Sequence, residues 1–163
     1  MKSLSAVVMA LAMVVSAGCR TVPMNASSTS SSPSTSLVGA GTPKGAVEMM
    51  LTAAKMQDIQ AMSAVWGDEK GMTRDRIDRA QLETRALAMI CLLRSDTQKI
   101  GEPQQLGGGH FQIPADLTQG TNSASTMFTV AQSSARRWLV SDVAIIPLQN
   151  KGFCPRRTGD RTE

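Results

Sequence analysis

Between Arg20 and Thr42 the chain offers almost nothing that a hydrophobic core can use, and this stretch decides how much of it can fold. From Ser27 to Ser36 every residue except Pro33 is serine or threonine. Such a segment has too little apolar surface to offset its ordering entropy, so it is expected to stay disordered. As a flexible coil, the 23 residues from Arg20 to Thr42 reach about 25 Å on average and about 75 Å when stretched. The material for a fold is therefore residues 43–150, long enough for one hydrophobic core, followed by a tail, residues 151–163, that carries Lys151, Arg156, Arg157 and Arg161.

Upstream of the tether, Lys2 precedes an uncharged run from Leu4 to Val15, and the small residues Ser16, Ala17 and Gly18 lead to Cys19. A positive start, a short apolar run and small residues form the pattern of an export signal. A membrane span needs about twenty apolar residues, more than the twelve from Leu4 to Val15. The stretch Val15-Ser16-Ala17-Gly18-Cys19 resembles the lipobox of bacterial lipoproteins. That resemblance implies removal of residues 1–18, acylation of Cys19, and a membrane anchor made of several acyl chains, each buried methylene contributing about 0.8 kcal/mol. Residues 19–42 then become the lipidated cysteine and its tether. The resemblance also implies the bacterial cell envelope, and Arg20 in place of an aspartate leans towards the outer membrane. Val15-Ser16-Ala17 equally satisfies ordinary cleavage after Ala17, which yields a soluble periplasmic or secreted product.

Loss of residues 1–18 removes one charge, Lys2, from seventeen basic and thirteen acidic side chains, leaving a net charge of +3. The chain has five aromatic residues, two Trp and three Phe, and none interleaves with basic residues, which argues against nucleic-acid binding. The basic tail reads as a solvated segment or as a contact for anionic headgroups. With Cys19 committed to lipid, Cys91 and Cys154 remain. In an exported chain an even remainder favours a disulfide; two separate core thiols, or a zinc site with His110, are the other readings.

The folded part begins helically. Thr42 caps, Pro43 suits the first helical position, and Val47, Met50, Leu51 and Ala54 make one apolar stripe. Asp58 caps a second, short helix that buries Ile59, Met62, Val65 and Trp66 before Gly67. A third helix is expected from about Arg74 to Arg94. Its face is Ile77, Gln81, Thr84, Leu87, Ala88 and Cys91, with Asp75 and Arg79 paired on the other side. After Ser95 the pattern becomes that of strands: Thr97–Gln105 interrupted by Pro103, His110–Leu117 with Pro114 arguing for an edge or a bulge, Thr126–Val130, and Arg137–Ile145. Helices first and antiparallel strands afterwards predict an α+β fold, with the helices on one face of a curved sheet.

The opening Thr42-Pro43-Lys44-Gly45-Ala46-Val47-Glu48, the pattern from Asp58 to Gly67 and the final Arg137-Trp138-Leu139-Val140 resemble small exported members of the NTF2-like, cystatin-like superfamily. The resemblance implies a cone-shaped pocket between the helices and the sheet. It implies either a non-catalytic module for a small apolar ligand or an envelope protein partner, or a small isomerase- or dehydratase-type enzyme with Asp142 or His110 as base. Met62, Trp66, Phe128, Trp138 and Asp142 are the candidate pocket residues. No residue is assigned a catalytic role and no cofactor or metal is expected: the chain has no tyrosine and one histidine, and the Gly107–Gly109 run lacks the lysine and helix of a phosphate loop. The methionines read as gap-fillers of helix cores.

Overall fold

A computed structural model of the protein describes residues 38–155. The export signal, Cys19, the serine-rich tether, Arg156, Arg157 and Arg161 lie outside the described residues. The fold is α+β. Helices α1 (Pro43–Met56), α2 (Ile59–Ser63) and α3 (Arg79–Leu93) precede a five-stranded antiparallel sheet of β3 (Thr97–Ile100), β4 (Gln104–Gly107), β5 (His110–Gln119), β6 (Asn122–Gln132) and β7 (Trp138–Val143). A two-stranded hairpin, β1 (Gly67–Asp68) with β2 (Gly71–Met72), sits between α2 and α3, and a short α4 (Ile146–Asn150) follows the sheet.

The helix starts follow from their caps. Thr42 Oγ1 accepts the Gly45 N–H at 3.0 Å, and Asp58 Oδ1 accepts the Ala61 N–H at 2.9 Å. Each satisfies a donor that the first turn leaves without a partner. The expected stripe of α1 is buried in full, with Val47, Met50, Leu51 and Ala54 at 0 % exposure. The second helix ends at Ser63, earlier than expected, so Val65 lies in the turn that follows and Trp66 bridges to Val140 of β7, where Val65 O accepts the Val140 N–H at 2.8 Å.

The third helix departs from expectation. It starts at Arg79, capped by Asp78, whose Oδ1 accepts the Gln81 N–H at 2.9 Å. Residues 73–75 form a separate 3-10 turn. Its buried residues are Ala86, Ile90, Leu92 and Leu93, while Gln81, Thr84 and Ala88 are exposed and Leu87 is 56 % exposed. Apolar residues lie all round this helix, so several stripes compete, and the one facing α1 and α2 is buried. Arg79 pairs with Glu83 at 2.8 Å, one turn on, rather than with Asp75. That hydrogen bond, more than the charge of Glu83, raises the Arg79 pKa.

The sheet order is β3 and β4 end to end along β5, then β6, then β7. β3 pairs with residues 115–118 of β5 and β4 with residues 110–112, so the two are one edge strand broken at Gly101–Pro103. Pro114 therefore lies within the sheet rather than on an edge strand, opposite this break. Its carbonyl accepts the Gly101 N–H at 2.8 Å. In an extended residue the N–H and C=O point to the same side, so the donor that proline lacks faces the gap and no ladder bond is lost. Gly107, Gly108 and Gly109 all have positive φ, which allows the tight return from β4 to β5.

Ile113, Ala115, Leu117, Phe128, Val130, Val140 and Val143 line one face of the sheet and form a single core with the stripe of α1 and with Met62, Ile90 and Leu93. The other end of the sheet is also covered. Ala40 exchanges both backbone hydrogen bonds with Trp138, at 2.9 Å each. After β7 the chain turns through α4, buries Leu148 and Phe153, and Cys154 forms a disulfide with Cys91 on α3. The packed body thus extends past 43–150 at both ends. The hairpin β1–β2 leaves no room at Gly67, where an added Cβ would run into the Gly71 carbonyl oxygen and Leu139.

Candidate functional site

The space expected to form a cone is filled. Met62 and Phe128 are 0 % exposed and belong to the packed core. They are core residues rather than pocket lining, because apolar side chains from α1 and from β5 to β7 meet over them. Trp66 and Trp138 are half-buried, and Trp138 meets Phe111 edge-on with ring centroids 5.3 Å apart. Asp142 is exposed. It pairs across the ladder with Thr129, and an insertion at Ser141 shifts the register there, so Val140 and Val143 face the core and Asp142 faces away from it.

His110 stands opposite Ala131 at the start of β5, on the face away from Phe111 and Ile113. Its Nε2 lies 3.3 Å from Glu69 Oε2 on the β1–β2 turn. Neither Asp142 nor His110 points into the interior, so the expectation of an internal base is not met. The zinc reading fails as well, since Cys91 and Cys154 are joined to each other.

A different surface has the chemistry of a binding site. α1 and α2 are joined through Gln57, whose left-handed backbone (φ 56°) ends α1 and leads at once to the Asp58 cap. Where the two helices and the segment before α1 come together, the side chains are small: Gly39, Ala40, Ala53, Ala61 and Ala64. Their short reach leaves a groove of about 620 Å³, walled by Met49 and Met56. That volume is in the range typical of small-molecule sites, about 300–1,000 Å³. Met56 is 71 % exposed, a large apolar side chain left uncovered at this edge. Other hollows, of about 520 Å³ beside the disulfide and about 290 Å³ between α2 and the start of α3, have more mixed linings, with Gln149 and Asn150 in the first and Arg74, Asp75, Arg79 and Glu83 in the second.

The groove has two charged members, Glu48 and Arg137. Glu48 lies one turn after Lys44 and helps to raise the Lys44 pKa, though the larger cause is the hydrogen bond from Lys44 Nζ to Glu102 Oε1 at 2.8 Å. Arg137 reaches across from the residue just before β7. Its Nε donates to Val38 O at 3.2 Å and its Nη2 to Gly39 O at 2.7 Å. These bonds fix the guanidinium in place but leave its charge unopposed: among the described residues no carboxylate comes within ion-pair distance of it.

Sequence reasoning missed this surface. The signal available was a set of alanines on the two helices together with methionines at the end of the first, and it became a groove only once the helices were placed side by side. Among the described residues there is no cluster suited to a metal ion, and no helix is long and apolar enough to cross a membrane. No protein-family model matches the chain, and neither a curated protein nor a solved structure matches it.

Proposed function

We propose that this chain is an envelope lipoprotein, exported by residues 1–18, held at the membrane through Cys19 and the tether behind it, and working as a non-catalytic binding module for a small apolar ligand. The helices-then-sheet layout supports the NTF2-like reading, with one difference: the ligand goes to the outer groove between α1 and α2 and not to an internal cone. The observation that carries this is the groove itself, an open hollow of about 620 Å³ whose walls are mainly alanine, glycine and methionine, with Glu48, Thr52 and Arg137 as the polar members. Such a wall excludes ligands that need many hydrogen bonds, because their polar groups would lose water without replacement.

Organic extraction of the protein purified from its own host, followed by mass analysis, tests the binding. A discrete small apolar molecule is expected from the wild type and is depleted from Thr52→Glu, which places a carboxylate on an exposed position of the groove wall. Equal extracts from the two would refute the groove as the site. The anchor has a separate test. In Cys19→Ala, acyl mass is lost and the chain keeps its signal residues. Cleavage after Ala17, giving a soluble product from both versions, would show instead that the chain is released.

A further inference from the structure

We infer that the ligand of the α1–α2 groove is a single-chain, long-chain carboxylate, with its hydrocarbon along the methionine and alanine wall and its carboxylate on the Arg137 guanidinium. This rests on the reading of the groove as a ligand site. The wall sets the body of the ligand: Met49 and Met56 are flexible and adaptable, and the alanines between them expose only methyl groups, which suits an unbranched chain.

Arg137 sets the head. It is half-buried, it lines the groove, and the two carbonyls that hold it orient its fork without cancelling its charge. A guanidinium has five N–H donors, of which the bonds to Val38 and Gly39 use Nε and Nη2, leaving donors in a plane that matches a carboxylate. Glu48 does not supply the missing anion, since no ion pair joins it to Arg137. The complementary ligand is therefore apolar along its length and negative at one end. A neutral chain such as an alcohol or an alkane would leave the cation unopposed.

The test uses the full-length chain in the membranes of its own host and two photoactivatable probes of equal chain length, a fatty acid and the corresponding fatty alcohol, with labelled peptides mapped by mass spectrometry. The acid is expected to label residues 43–64 at least about tenfold more than the alcohol, the discrimination of one charge-assisted pair. Arg137→Lys is expected to keep part of this preference and Arg137→Leu to bring the acid-to-alcohol ratio to about one; the ratio is the readout because the second change also releases the carbonyls of Val38 and Gly39. The acid-to-alcohol ratio in the wild type decides the matter without any variant. A ratio near one, with both probes on α1 and α2, would overturn the carboxylate assignment and leave the apolar groove standing. Absence of label from both probes in residues 43–64 would overturn the groove as well.

Discussion

Replacement of Phe128 by alanine is expected to lower the stability of the domain by about 3–5 kcal/mol, the range for losing a buried aromatic side chain. Phe128 is 0 % exposed and occupies the middle of the core face of β6, opposite Ile113 on β5 and Val143 on β7. The site has little means to collapse around a void. Its cross-strand neighbours are fixed by ladder pairing on both sides, and Val47, Met50 and Leu51 of α1 belong to the same core. Domains of this size have total stabilities of about 5–15 kcal/mol, so this one substitution removes a large share. Urea denaturation followed by tryptophan fluorescence reads the change directly, because Trp66 and Trp138 pack against that core. A midpoint within error of the wild type would show that the core is not packed as described. Phe128→Leu, which keeps most of the apolar volume, should lie between the two.

The second large effect is at the disulfide. Opening the Cys91–Cys154 bridge, by reduction or by the double change Cys91→Ser and Cys154→Ser, is expected to cost about 4 kcal/mol from loop-closure entropy, given a sequence separation of 63 residues. The bridge holds the last described segment against the C-terminal half of α3. Phe153, beside Cys154, is 1 % exposed, and its N–H donates to Leu148 O at 3.0 Å. Once the bridge is open, this short stretch retains mainly the contacts of Leu148 and Phe153. Denaturation midpoints with and without reductant, in the wild type and in the double variant, separate the bridge from side effects of the reductant. The wild type should fall to the level of the variant when reduced, and the variant should not respond. No shift in the wild type on reduction would mean that the bridge adds nothing to stability.

How much of this was legible in the sequence depended on whether the signal was local. Thr42 and Asp58 act within three residues of themselves, and both helix starts were found where their side chains indicated. The stripe of α1 is readable because Val47, Met50, Leu51 and Ala54 repeat at helical spacing along one side. In α3 apolar residues occur all round, so the buried side was chosen by α1 and α2, and nothing within residues 79–93 specifies it. The hairpin β1–β2 and α4 are too short to show a period, and α4 has no side-chain cap at its start. Pro114 signals an edge or a bulge, yet what accommodates it is the break at residues 101–103 between β3 and β4, which the residues around Pro114 do not reveal.

The site was the least legible part. The expectation that methionines fill helix cores holds for Met50 and Met62 and fails for Met56. The role of Arg137 could not be seen from its neighbours, because the carbonyls that position it lie 98 and 99 residues earlier in the chain. A groove made by what small side chains leave empty has no motif of its own. It exists only after the elements that carry those side chains have been brought together by the core behind them.

The two ends of the described body are fastened by unlike means. At the far end the chain is secured by a covalent bond to α3, whereas at the near end it is secured by the paired backbone bonds of Ala40 with Trp138 and by the guanidinium of Arg137 on Val38 and Gly39. A pull transmitted along the preceding residues would be borne first by those few hydrogen bonds, which can be peeled one after another and re-formed. The body is therefore mechanically polar, with a clasp at one end and a rivet at the other. The clasp is the part that shares its residues with the groove.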